Sequence, residues 1–288
     1  MADVDSRRRS VTCAAASGLH RVSYLEWGDA TNPRVVVCVH GLTRCARDFD
    51  ALAAALADRY RVVCPDMPGR GESDWLKNPM EYATPAYLNA AVTLVARLGI
   101  DEVDWVGTSM GGLLGMVYAS LERTPIRRMV VNEAGPLVAA VALERIGTYV
   151  GKAPDFPSVE AAEGYIRTIS APFGPHSDAE WRFLTEHVVR RKPDGTYRMH
   201  YDPAIAVPFN AAAPHKDLDL WPIWEQVRCP TLVLRGELSD LLSRETVARM
   251  QTTGPHAQAV EIPGVGHAPT LMQPDQIAIV REFLLGKV

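Results

Sequence analysis

The stretch Val103-Asp104-Trp105-Val106-Gly107-Thr108-Ser109-Met110-Gly111-Gly112 decides the reading of this chain. Its first four residues are a short strand-type run. Small residues follow, with one serine in the pattern G-x-S-x-G, and residues 109–121 continue as a small-residue helix. A serine between a strand and a helix sits on a sharp, strained turn. Its neighbours two positions away must lack bulk, and Gly107 and Gly111 meet that need. Gly112 lets the helix pack close to the strand. The helix N-terminus then lies under the hydroxyl and favours negative charge developing there. This is the setting that a nucleophilic serine of this pattern requires.

Working outward, short β-branched runs alternate with amphipathic helices, the pattern of a parallel sheet covered on both faces. Residues 35–39 and 61–65 are apolar runs of buried-strand type, and 129–131 is another. Helices are expected at 48–57 and at 86–98, the second closed by Gly99. From about 136 to 227 the chain holds prolines and helical pieces with no evident β alternation. Strand character returns at 231–234 and 259–262, with helices near 244–250 and 274–285. The expected architecture is one α/β sheet interrupted late by a helical insertion. The units are 1–136 for the first part of the core, 137–228 for the insertion and 229–288 for the rest.

Length and composition agree. The 288 residues exceed the usual domain of about 100–200, but α/β folds often use more as one unit. A hydrophobic fraction of 47% and a charged fraction of 22% argue against disorder, collagen and coiled coil. The net charge of −4 argues against nucleic acid as a partner. No window approaches about 18 consecutive apolar residues, so no membrane partner is expected. Five irregularly spaced cysteines without C-x-x-C argue against a zinc knuckle or a disulfide scaffold. No two of the eight histidines have metal-ligand spacing on a recognisable element, and no metal or organic cofactor is expected. Ser6-Arg7-Arg8-Arg9-Ser10 faintly resembles a twin-arginine signal. The apolar stretch behind it is short and weak, and Asp3 and Asp5 lie upstream. A frayed tail and a cytoplasmic location are the simpler expectation.

Three further features carry chemistry. His40-Gly41-Leu42 follows the 35–39 strand. Acyl transfer needs two preorganised N–H donors for the oxyanion, and the amides of Leu42 and Met110 are the candidates. His40 itself reads as a structural hydrogen-bonding residue. Gly264-Val265-Gly266-His267-Ala268-Pro269 places His267 on a Gly-rich loop after the last strand, where parallel sheets build sites. It is the candidate general base, and it needs an orienting carboxylate. Asp240, after the strand that resumes behind the insertion, is the first choice. Glu133, after the 129–131 strand, and Glu237 are the alternatives.

On these residues the chain resembles the α/β-hydrolase superfamily over about residues 20–286. The markers are His40-Gly41, the loop Asp66-Met67-Pro68-Gly69-Arg70-Gly71-Glu72-Ser73, the Ser109 turn, Asp240 and His267. The resemblance implies a mostly parallel eight-stranded sheet and a Ser109–Asp240–His267 triad. It implies that 66–73 supports the oxyanion side structurally. In haloalkane dehalogenases and some lactone hydrolases of the superfamily the acid stands at the Glu133 position. Dehalogenases and epoxide hydrolases carry an aspartate nucleophile, which Ser109 disfavours here. Cofactor-free haloperoxidases often have a further glycine where this chain has Leu113. Meta-cleavage C–C hydrolases share Ser-Met-Gly-Gly, but their oxyanion loop is a longer glycine run than Leu42-Thr43-Arg44.

In this superfamily an insertion between the sixth and seventh core strands is a cap. Residues 137–228 hold 11 of the 21 aromatic side chains, which suggests an apolar lid with two to four rings reaching the pocket. Arg44 and Arg47 lie past the oxyanion loop, where either meets a substrate carboxylate or pairs locally, as with Asp48. The resulting expectation is a monomeric or homodimeric serine hydrolase acting on a small to medium, fairly apolar ester. C–C bond hydrolysis by the same triad and a non-catalytic receptor are the alternatives.

Overall fold

The computed structural model describes residues 6–287. Arg7–Ala15 (β1) and Gly18–Trp27 (β2) form an antiparallel hairpin, followed by Val35–Val39 (β3). Asp50–Leu56 (α1), Arg61–Pro65 (β4), Thr84–Leu98 (α2) and Val103–Thr108 (β5) come next. Met110–Ala119 (α3) and Ile126–Asn132 (β6) complete the first part of the core. After the insertion, Thr231–Gly236, Arg244–Thr252, Gln258–Ile262 and Pro274–Leu284 return to it. The eight strands lie in the order β1-β2-β4-β3-β5-β6, then 231–236, then 258–262. From β4 onward all neighbours are parallel. This is the expected α/β-hydrolase architecture.

The central strands are apolar throughout because both faces are covered. Strand side chains alternate between faces. Val35, Val37, Val39, Trp105 and Met129 pack with Leu94 of α2 and Leu114 and Met116 of α3. Val36, Cys38, Val62, Val106 and Val130 pack with Leu52 and Leu56 of α1 and with Val280 and Phe283. Cys38 and Cys64 are buried core residues, and all five cysteines are free thiols. Gly99 closes α2 in the left-handed region at φ 68°.

Two expectations are corrected. The tail before the first strand is itself an edge strand from Arg7. Val11 and Cys13 turn inward, and the arginines alternate between two sets of acceptors. Arg7 and Arg9 reach the buried Glu26 at 3.3 and 3.4 Å, while Arg8 reaches Ser23 and Asp66. Asp3 and Asp5 lie outside the described residues.

The insertion also contains strands. Leu137–Val138 (β7) and Leu218–Asp219 (β11) pair antiparallel at its base. Between them run Ala140–Gly147 (α4), Asp155–Phe156 (β8), Val159–Ile169 (α5) and Asp178–Glu186 (α6). Val189–Arg191 (β9), Tyr197–Met199 (β10) and Ala206–Ala211 (α7) follow, and Trp221–Trp224 (α8) leads back to the core. Strands β8, β10 and β9 make a small antiparallel sheet. At two or three residues each they are too short to display a period-two pattern. With these labels Thr231–Gly236 is β12 and Gln258–Ile262 is β13, while Arg244–Thr252 is α9 and Pro274–Leu284 is α10. No described helix is long and apolar enough to cross a membrane.

Candidate active site

Ser109 links β5 to α3 with φ 52° and ψ −113°, a left-handed conformation that side chains rarely adopt. Close packing enforces it. A Cβ on Gly107 would overlap the Gly111 carbonyl, and one on Gly111 would overlap the carbonyl of Val39. The Ser109 N–H donates to Asn132 O at 2.8 Å, and Trp105 Nε1 donates to Gly111 O at 3.0 Å. The turn is therefore clamped from the neighbouring strand and from below.

The His40-Gly41-Leu42 loop crosses beside it, a Cβ on Gly41 lying 3.7 Å from the Ser109 Cβ. His40 is fully buried. Its Nδ1 bonds Gly41 O at 2.7 Å, and its Nε2 accepts from the Met67 N–H at 3.0 Å. Burial pushes its pKa down to about 3, so the ring is neutral and holds two loops together. The Leu42 N–H has no acceptor among the described residues. Met110 is the first residue of α3, so its N–H has no intrahelical acceptor. Asp66 accepts from the N–H groups of Ala46 at 2.8 Å and Glu72 at 3.0 Å.

His267 Nδ1 lies 3.2 Å from Glu133 Oε2. Glu133 is fully buried at the end of β6, with φ 54°. Gly236 N–H donates to its Oε1 at 2.6 Å, and the Ser239 hydroxyl to its Oε2 at 2.7 Å. A carboxylate only accepts, so the contact puts the imidazole proton on Nδ1 and leaves the Nε2 lone pair free. The expected Asp240–His267 pair is not formed. Asp240 points outward, its side chain 58% exposed, and meets Arg145 at 3.0 Å. The reason is local. In the bend after β12, Ser239 turns inward to Glu133 and accepts from the Leu242 N–H at 2.9 Å, which sends the next side chain to solvent. Glu237 braces the His267 loop instead, accepting from Gly264 N–H at 2.9 Å.

Sequence reasoning missed several supports. Asn132 is buried and donates to Thr108 Oγ1 at 3.0 Å and to Pro269 O at 2.8 Å, tying the Ser109 strand to the His267 loop. Gly266 N–H donates to Pro172 O of the insertion at 2.7 Å, and His176 bonds Thr270 at 2.8 Å. These depend on strand order and on a distant turn, so no local pattern announces them.

Ser109, Leu42, Met110 and His267 line one cavity of about 630 Å³ between core and insertion. Of the insertion's eleven rings, Tyr149, Phe173 and Phe209 reach it, within the two to four expected. Arg44 lines it but takes the local alternative, a bidentate pair with Asp48 at 2.7 and 2.8 Å. Arg47 pairs with Asp50 at 2.6 Å. Among the described residues no three His, Cys, Asp or Glu side chains are grouped as metal ligands.

A family model described as the alpha/beta hydrolase family matches residues 36–280. The chain is 49% identical over 283 residues to the 3-hydroxybutyrate-oligomer hydrolase of Cupriavidus necator, covering 96% of this chain and 97% of that protein. It is 25% identical over 237 residues to the 2-(acetamidomethylene)succinate hydrolase of Mesorhizobium japonicum, covering 82% of each. A solved alpha/beta hydrolase from Novosphingobium aromaticivorans superposes with a TM-score of 0.87 at 38% identity over 99% of each chain. The family match runs from β3 into α10 and so takes in every element that carries the site; the chain belongs to the α/β-hydrolase family and is a hydrolase.

Proposed function

We propose that the protein is a serine ester hydrolase that cleaves short, apolar oligoesters of hydroxy acids through an acyl-enzyme. The observation that carries the reading is the pairing of His267 with the buried Glu133 in the cavity that Ser109 also lines. Ser109 Oγ attacks the ester carbonyl, and His267 Nε2 takes its proton. Glu133, rather than Asp240, holds the Nδ1 proton and stabilises the imidazolium. The amides of Leu42 and Met110 receive the oxyanion. Collapse breaks the ester C–O bond, and His267 returns the proton to the leaving alcohol. Water then attacks the acyl carbon as His267 takes its proton, the bond to Ser109 Oγ breaks to release the acid, and His267 returns the proton to Ser109 Oγ.

The substrate class rests on two supports. The cavity volume falls within the range of about 300–1,000 Å³ usual for small-molecule sites and holds several small ester units. The relative from Cupriavidus necator bears the name of a 3-hydroxybutyrate-oligomer hydrolase. An oligoester of that kind offers repeated methyl groups to an apolar wall and a secondary alcohol as leaving group. The test is a time course on linear 3-hydroxybutyrate dimer and trimer beside p-nitrophenyl acetate to octanoate, with wild type and Ser109→Ala. Wild type should release monomer from the oligomers, and Ser109→Ala should lower kcat roughly 10³–10⁶-fold. A Ser109→Ala enzyme that keeps most of its turnover would remove the serine mechanism. Fast p-nitrophenyl turnover with inert oligomers would remove the substrate class alone.

A further inference from the structure

Arg70 is an uncommon kind of buried cation. Its side chain is fully enclosed, yet no carboxylate lies within ion-pair distance among the described residues. Every acceptor it meets is neutral. Nε donates to Leu42 O at 2.8 Å, and Nη1 donates to Pro68 O and to the Tyr87 hydroxyl, each at 2.7 Å. Nη2 approaches Met110 Sδ at 3.7 Å. The guanidinium stands over the rings of Tyr87 and Tyr82, at 4.9 and 5.8 Å from their centroids. Enclosing an unpaired charge is expensive, and a protein that needs only packing there has cheaper side chains available. The two residues it grips, Leu42 and Met110, are the two whose amides face the reaction in the reading above.

We propose that Arg70 is a positioning residue for the oxyanion hole: it fixes Leu42 and Met110 and sets an unneutralised positive charge behind both donors. The inference rests on the serine-hydrolase reading and adds a residue to it. In the ground state the ester carbonyl carries only a partial charge. As Ser109 Oγ bonds to the carbon, the carbonyl oxygen gains a full charge, and a cation not cancelled by a neighbouring acid favours that state selectively. A paired arginine would supply the geometry but little net field. Arg44, four residues after His40, lines the cavity but is bound to Asp48 and illustrates that contrast.

The test compares Arg70→Met, Arg70→Gln and Arg70→Lys with wild type and Ser109→Ala. Two ligands serve, a trifluoromethyl ketone and the matching methyl ketone of the best p-nitrophenyl ester. The first adds Ser109 Oγ to its carbonyl carbon, the proton passing to His267 and the carbonyl oxygen becoming an oxyanion. The second binds without that addition. Arg70→Met and Arg70→Gln should lower kcat roughly ten- to a hundredfold, less than loss of a direct oxyanion donor, with KM within about twofold. Affinity for the trifluoromethyl ketone should fall by a similar factor, while the methyl ketone binds as before. Arg70→Lys, keeping the charge, should recover most of the loss. Folding is checked by circular dichroism and thermal unfolding; if the Met variant does not fold, the Gln and Lys pair carries the same comparison. Equal losses for both ketones, or a folded Gln variant with full affinity for the trifluoromethyl ketone, overturns the proposal. If Ser109→Ala binds the trifluoromethyl ketone as tightly as wild type, the serine reading has failed, and this one with it.

Discussion

Glu133 meets His267 because its backbone adopts φ 54° at the end of β6, which turns the carboxylate toward β12 instead of along its own strand. A carboxylate fixed by Gly236 and Ser239 as well as by the imidazole has no freedom to leave. Removing its charge while keeping its shape therefore isolates its role. Glu133→Gln should lower kcat roughly 10²–10⁴-fold, by comparison with the amide substitution in a serine-protease triad. Asp240→Asn should leave kcat within about twofold, since the side chain is directed to Arg145 and solvent. Steady-state kinetics on one ester with both variants decides the matter, and the opposite ranking would return the acid to Asp240. At this scale the sharp Ser109 turn and the His267 loop were legible because glycines flank them at fixed offsets. The carboxylate that meets His267 was not. Ser239 and Asp240 are adjacent, and which of them turns inward depends on the bend after β12 and its bonds to Glu133, a long-range fact. Arg70 was legible only as part of a tight loop, since its guanidinium meets Leu42, Tyr87 and Met110, all distant in sequence.

At the scale of elements, strand β5, the turn and helix α3 form one rigid support. The close approach of Gly111 to Val39 O joins that support to β3, so the His40-Gly41-Leu42 loop that follows β3 and the Ser109 turn share a wall. A methyl group there has nowhere to go. Gly111→Ala should destabilise the fold by about 1–3 kcal/mol or more through overpacking, read as a lowered urea midpoint with an unchanged slope. The link between the insertion and the core loop after β12 is of another kind. Arg145 of α4 and Asp240 are both substantially exposed, at 41% and 58%. Such a pair contributes about 0–1 kcal/mol. Arg145→Ala should accordingly leave the urea midpoint nearly unchanged, and a large drop would mean that the pair anchors the insertion. The hydrophobic periodicity revealed the core strands and helices to within a few residues, because each buries one or two whole faces. It did not reveal β1, β2 or the strands of the insertion. The edge strand carries three arginines in succession, and the strands of the insertion are too short to show a period.

At the scale of the whole molecule, four of the eight histidines are held neutral by enclosure. Burial lowers the pKa of His40 to about 3 and of His187 to about 4, and lowers those of His20 and His200 as well. Their ordinary value is 6.5. Between these values the unfolded chain binds protons that the native chain refuses, so stability rises with pH across the window. It is fully present above about pH 6.5 and is lost as the pH falls toward 4 and then 3. Three buried carboxylates act in the opposite sense. Burial raises the pKa values of Asp50, Asp66 and Asp104, so the native state takes up their protons more readily than the unfolded chain does. Their contribution grows as the pH falls toward the ordinary aspartate value of 3.8, and it moderates the loss only at the acidic end. The decline should therefore set in as the pH falls through about 6.5 and steepen toward pH 5 and below, and His40 should dominate it because its pKa is pushed lowest. Urea midpoints at pH 7, 6 and 5 test this on wild type and His40→Gln, which keeps a donor and an acceptor for Gly41 O and the Met67 N–H but does not titrate. The variant should be less stable at pH 7 and should lose less between pH 7 and 5. Parallel curves for the two proteins would mean that the acid sensitivity resides in the other histidines, and His187→Gln would then be the variant whose curve flattens.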